Sequence, residues 1–205
     1  MSKINLKFKG KTYSIDRTVL ADAFSSLDSA FTELENAVPE INYSVGLAFT
    51  SNGDGTCYVS GRGECTDADI VIPPTSPDGD SVVSIGFNAF NLDETVLSVI
   101  IPDSVSTIDM FAFESCSNLK SANCGNGVKL IKEKAFRSCS SLETVTLGSN
   151  LTKIDYEAFA ECSSLTDIVY KGTVEQWKNV VLLDYWNDFV PATYVQCSDG
   201  QVALS

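Results

Sequence analysis

The chain has 205 residues, 44% of them hydrophobic, with a formal net charge of −13 and no histidine. Residues 1–17 carry Lys3, Lys7, Lys9, Lys11 and Arg17 against Asp16, a net of +4, which leaves −17 on the remaining 188. A body that acidic repels phosphate backbones and argues against nucleic acid as a partner, and the absence of histidine excludes Ser-His-Asp and Cys-His nucleophile systems and every His-containing metal site.

The opening MSKINLKFKG lacks the apolar run of about 7–15 residues that a secretory signal needs. Nowhere do about 18 apolar, uncharged residues run together, so no membrane insertion is expected. A protein without a signal peptide, kept in a cytosol or packed into a particle assembled there, is the expectation.

Residues 4–15, INLKFKGKTYSI, alternate apolar and polar around Gly10-Lys11 and predict a β-hairpin. An amphipathic helix follows. Its apolar positions Leu20, Phe24, Leu27, Phe31, Leu34 and Val38 step 4-3-4-3-4 with Ala23, Ala30 and Ala37 beside them, and Pro39 ends the run. Such a seam suits self-association through Leu20, Phe24, Leu27, Phe31 and Leu34, with a homotrimer among the states open to it; a helix folded back on its own hairpin fits the same spacing. Residues 1–45 are therefore read as a docking or oligomerisation segment and residues 46–205 as the second domain.

Residues 46–66 predict a strand, an Asn-Gly-Asp-Gly turn and a second strand, an amino-terminal cap over 46–68. From 69 to 171 the chain repeats. Phe90, Phe113, Phe136 and Phe159 lie 23 residues apart, each after an alanine. Ile85, Ile108, Ile131 and Ile154 keep the same step, as do Cys116, Cys139 and Cys162, and Leu119, Leu142 and Leu165. A period in the range of about 20–29 residues marks a leucine-rich-repeat solenoid, in which each unit buries its apolar face only when a neighbour stacks on it. The fold class read here is an α/β repeat of about four to five 23-residue coils with β-rich caps, preceded by the hairpin and helix.

Within each unit Val99 to Ile101, Ala122 to Cys124, Val145 to Leu147 and Ile168 to Tyr170 have period two and predict parallel-stacked strands. A second extended piece precedes each column isoleucine, and the A-F-x-x-C stretch has room for about one helical turn. Asp69 to Pro73 matches Ser98 to Pro102 at a spacing of 29, so Pro74 to Gly79 are six inserted residues. Past Tyr170 the period stops, and residues 172–205, with Trp177 and Trp186, are read as the carboxyl-terminal cap.

The units Ser104 to Gly125 and Ser149 to Tyr170 resemble the BspA-like, or Treponema-type, leucine-rich repeat, whose pattern is roughly L-x-x-V-x-I-P-x-x-V-x-x-I-G-x-x-A-F-x-x-C. The ending with Trp177, Trp186 and VPATYVQCSDG is similar to the caps of such proteins in gut bacteria and their phages. The resemblance implies a recognition or adhesion module without catalytic residues.

Seven cysteines are present, three of them in the repeat column, where a small inward-pointing thiol packs as a hydrophobe; a disulfide ladder is the alternative, disfavoured in a reducing compartment. No C-x-x-C pair occurs, and neither Asp67/Asp69 nor Asp78/Asp80 follows an EF-hand loop, so neither metal nor cofactor is expected. No carboxylate pair stands out for hydrolysis. What remains is surface. Between core positions each strand points one residue out, giving Ile100, Asn123, Thr146 and Val169 flanked by Ser98, Ser121, Thr144 and Asp167, a strip suited to a protein or glycan and equally describable as a plain sheet exterior. The expected function is non-enzymatic: a virion or tail-associated receptor-binding or decoration protein, docked on a virion structural protein by its amino-terminal segment and present in virion or host cytoplasm during assembly. An intracellular scaffold or effector, or a bacterial cell-surface adhesin, are the alternatives.

Overall fold

The computed structural model describes residues 3–8, 11–16 and 41–204. The chain divides into two compact units, Met1–Asn42 and Tyr43–Ser205. In the first, β1 (Lys3–Phe8) and β2 (Lys11–Asp16) pair antiparallel with Phe8 opposite Lys11 and Lys3 opposite Asp16, so Lys11, expected at the centre of the hairpin, belongs to its second strand. The heptad positions Leu20, Phe24, Leu27, Phe31 and Leu34 lie outside the described residues.

The second unit is wound from short strands that alternate between two seven-stranded sheets. In chain order they are β3 (Ala48–Ser51), β4 (Thr56–Gly61), β5 (Asp69–Val71), β6 (Ser81–Ile85), β7 (Ser98–Ile100), β8 (Thr107–Ile108), β9 (Ser121–Asn123) and β10 (Leu130–Ile131). Next come β11 (Thr144–Leu147), β12 (Lys153–Ile154), β13 (Asp167–Tyr170), helix α1 (Val174–Trp177), β14 (Val181–Leu182), β15 (Tyr194–Cys197) and β16 (Gly200–Ala203). Sheet one runs β3-β4-β6-β8-β10-β12-β14 and sheet two β5-β7-β9-β11-β13-β15-β16. All neighbours pair parallel except β3 with β4 and β15 with β16, which close one end of each sheet with an antiparallel strand.

Pairing β4 with β5, β6 with β7, and onward to β14 with β15 gives six coils among the described residues, rather than four to five. The outer coils escape the 23-residue count because Val59 pairs with Ile85 and Ile154 with Leu182, steps of 26 and 28. In the first coil the inserted Pro74 to Gly79 is a closed turn: Val82 N–H donates to Pro74 C=O at 2.9 Å and Ser76 N–H to Asp80 C=O at 2.8 Å.

The expected helical turn at A-F-x-x-C is not formed. Each repeat places two non-glycine residues at positive φ four positions apart, Phe111 and Ser115 at 59° and 60°, Lys134 and Ser138 at 56° and 59°. That alternation winds the chain into successive tight turns and sends every second N–H out of its own coil. Phe111, Phe113 and Ser115 donate to the carbonyls of Glu133, Ala135 and Arg137 in the next coil at 3.2, 2.7 and 2.8 Å. A helical turn would have spent those donors internally, whereas here they make a third ladder beside the two sheets. The repeats are therefore strand and turn, and the helix among the described residues, α1, is four residues long and lies between β13 and β14, with Thr173 and Gln176 forming a capping box.

Inside, the predicted columns are core. Phe113, Phe136 and Phe159 are fully buried and Phe90 nearly so. Their rings stack parallel at centroid separations of 5.0, 5.0 and 5.1 Å, within the offset-stacking range. Trp186 closes the column edge-on at 6.3 Å from Phe159, and Trp177 and Tyr170 pack behind it.

All seven cysteines are free and buried. The column thiols are hydrogen-bonded as well: Cys116, Cys139 and Cys162 Sγ donate to the carbonyls of Phe90, Phe113 and Phe136 at 3.0, 3.1 and 3.1 Å. They are expected to react with a thiol reagent only as the chain unfolds, and rapid modification of the native protein would contradict this register. Burial raises the Cys124 thiol from its ordinary 9.0 to about 12, and likewise raises Cys139. Both thiols stay neutral in the fold. The unfolded chain ionises Cys124 above pH 9.0, so its contribution is intact below pH 9.0 and lost between there and about pH 12. Equilibrium unfolding should show stability falling across that window, and Cys124→Ala should flatten the fall. An unchanged slope in that variant would remove Cys124 as its cause.

Candidate functional site

Sheet two brings all eight sequence-predicted binding residues to one outer face. Its register aligns Ser98, Ser121, Thr144 and Asp167 as one column and Ile100, Asn123, Thr146 and Val169 as the next. The cause is the period itself: Val99, Ala122, Val145 and Ile168 are driven inward, and in a strand the residues on either side must then face out. Asp69 extends the first column and accepts from Ser98 Oγ at 2.6 Å. The strip has small hydroxyls, an amide and two aliphatic groups, with a carboxylate at each end of its first column. Nothing in it is an activated nucleophile, and its chemistry is that of contact.

Sequence reasoning missed the corner where sheet one turns into the third ladder. There Phe87, Phe111, Tyr156 and Tyr185 pack in edge-to-face pairs, Phe87 with Phe111 at 5.6 Å and Tyr156 with Tyr185 at 5.8 Å. Phe87 and Tyr185 are 58% and 59% exposed, far more than a core ring. The signal was available, since Phe87 and Tyr156 occupy one repeat position, three before the column phenylalanine, that the period leaves outside.

Between the aromatic pairs lies a charged cluster spanning three coils. Arg137 lies 3.6 Å from Glu114, 3.2 Å from Glu157 and 2.6 Å from Glu161, and Lys134 is 5.8 Å from the Phe111 ring centre. Ser138, whose hydroxyl donates to Glu161 at 2.7 Å, and then Arg137 hold the Glu161 carboxyl below its usual range. The carboxylates on both sides of Arg137 make this a clamp between coils. At the amino-terminal end, Asp93 stands where the other repeats have a column cysteine, and it is met by Arg62 at 3.0 Å. The inserted turn, which contains Asp78 and is followed by Asp80, lies between β5 and β6. Among the described residues, no group of three His, Cys, Asp or Glu side chains gathers to hold a metal ion.

A coil of two parallel sheets and a turn ladder, stacked on a phenylalanine column, is a leucine-rich-repeat solenoid. The family profile of the BspA type leucine rich repeat region matches six copies over residues 70–184, and the chain belongs to that family. It is a family of the binding type. A Treponema pallidum leucine-rich repeat protein is similar in structure, with a TM-score of 0.63 and 22% identity over 76% of this chain and 71% of that one. A leucine-rich repeat protein from Bacteroides capillosus aligns at a TM-score of 0.56 and 26% identity, covering 64% of this chain and 98% of its own. Among curated proteins, none matches the chain.

Proposed function

We propose that the chain is a non-enzymatic binding module whose sheet-two face meets a protein or glycan on a host surface, and that residues 1–45 mount it on a virion or tail structure. The observation that carries the first part is the register that sets Ser98, Ser121, Thr144 and Asp167 beside Ile100, Asn123, Thr146 and Val169 on one uninterrupted face. Four parallel strands present side chains at a fixed spacing, so a partner meets a pre-ordered surface and little entropy is lost on contact. Mounting through the amino-terminal segment is supported by its forming a compact unit of its own, Met1–Asn42.

Asn123→Lys, Thr146→Lys and Val169→Lys are expected to abolish binding of the purified chain to host cells. Because the changes lie on an exposed face, each should move stability by no more than about 0.5 kcal/mol. Deleting residues 1–45 should do the reverse, preventing incorporation into particles while cell binding persists. The face assignment is wrong if the lysine variants still bind while changes at Pro74 to Gly79 or around Trp186 do not. A ligand found in host lysate but not on intact cells would instead mark an intracellular scaffold.

A further inference from the structure

Where β4 pairs with β6, the outer face of sheet one holds a cleft of about 570 Å³ walled by Tyr58 and Phe87. Gly86 shapes it. The Tyr58 ring lies where a side chain at 86 would project, with Cδ2 2.6 Å from the place of a Cβ, so only glycine leaves that wall in position. Phe87 forms the second wall, half exposed and held edge-on by Phe111 at 5.6 Å. The rest of the lining is polar: Asn52, Ser60, Ser84 and Asp109.

Most of the polar groups are hydroxyls. The side-chain hydroxyls of Tyr58, Ser60 and Ser84 have no hydrogen-bond partner among the described residues and are open to a ligand, while the Asn52 amide already donates to Thr56 Oγ1 at 2.8 Å and keeps its carbonyl oxygen and second N–H free. Asp109 is already neutralised, both its oxygens lying 3.0 Å from Lys132 Nζ, and it keeps acceptor capacity without a free charge. The cleft thus offers two aromatic walls and several neutral hydrogen-bonding groups, within the size range of small-ligand sites, roughly 300–1,000 Å³. Aromatic faces carry negative potential and attract the polarised C–H bonds of a sugar ring, while hydroxyls and an amide match its O–H groups. The acidic solenoid around it repels sialylated, sulfated or uronic chains.

We propose that this cleft is a binding site for a neutral glycan, with Tyr58 and Phe87 taking the faces of a sugar ring and Ser60, Ser84 and Asp109 its hydroxyls. The site is distinct from the sheet-two face and does not depend on it.

The test titrates the full-length chain with three neutral trisaccharides, chitotriose, maltotriose and mannotriose, and with a heparin trisaccharide, followed by saturation-transfer NMR and calorimetry. At least one neutral sugar should bind, with saturation strongest on its ring protons, and the heparin fragment should not. Phe87→Ala should weaken that binding about tenfold or more with melting unchanged, since the ring is largely exposed. Gly86→Ala, which drives Tyr58 off its seat, should weaken it as well. The lysine variants at 123, 146 and 169 should bind sugar like the parent, so the two sites can fail independently. The proposal is overturned if no neutral trisaccharide binds at millimolar concentration, if binding survives Phe87→Ala unchanged, or if the anionic sugar binds more tightly.

Discussion

Phe136→Ala is expected to destabilise the solenoid by about 3–5 kcal/mol in denaturant titration. Phe136 is fully buried and stacked on both faces, against Phe113 at 5.0 Å and Phe159 at 5.1 Å. Removing the ring opens a cavity between two rings that cannot close over it, because each is fixed by a backbone hydrogen bond to the next coil. Phe113 N–H is tied to Ala135 C=O at 2.7 Å and Phe159 N–H to Trp186 C=O at 2.7 Å. Phe90→Ala should cost less, since Phe90 has a ring on one side only. A loss below about 1 kcal/mol at Phe136 would mean that the rings are not the core. With domains stable by only about 5–15 kcal/mol, the expected loss is a large share of the whole.

Gly148→Ala should also be severe, at or above the upper end of the roughly 1–3 kcal/mol typical of overpacking. A Cβ at 148 would stand 2.1 Å from the Gly125 carbonyl oxygen and 2.5 Å from the Asn126 Cα in the preceding coil. Both are backbone atoms, so no rotamer change relieves the contact and the two coils must separate at that corner. Gly127→Ala meets the Asp103 carbonyl in the same way, at 1.9 Å. Gly200→Ala is the control: its nearest atom is a Val174 methyl at 3.3 Å, and its melting temperature should stay near that of the parent. Near-parental stability of Gly148→Ala would show that the coils are not in contact there.

The core columns were legible because burial in a stack is enforced identically at every coil: any residue replacing Phe113 or Cys139 meets the same neighbours 23 positions away. The number of coils was not. β4 and β5 carry the amino-terminal edge and the residues before β14 include α1, so those coils follow other spacings while still continuing both ladders. The helical turn was misjudged for a different reason. A-F-x-x-C has helical length, and the choice between helix and alternating turns rests on whether the N–H groups of Phe113 and Ser115 find acceptors within the coil or in the next one.

Of the surfaces, the sheet-two face could be read directly, since outward residues alternate with the inward Val99, Ala122, Val145 and Ile168. The cleft of Tyr58 and Phe87 could not, because its walls come from coils of unequal length and its shape depends on a ring resting against Gly86. By itself the sequence determined the solenoid, its family and its core, since a repeated apolar pattern has one way to bury itself. The tertiary structure alone decided the six-coil count, the third ladder and the two-walled cleft. Each of these depends on hydrogen-bond partners and side chains from different coils, which only stacking brings together.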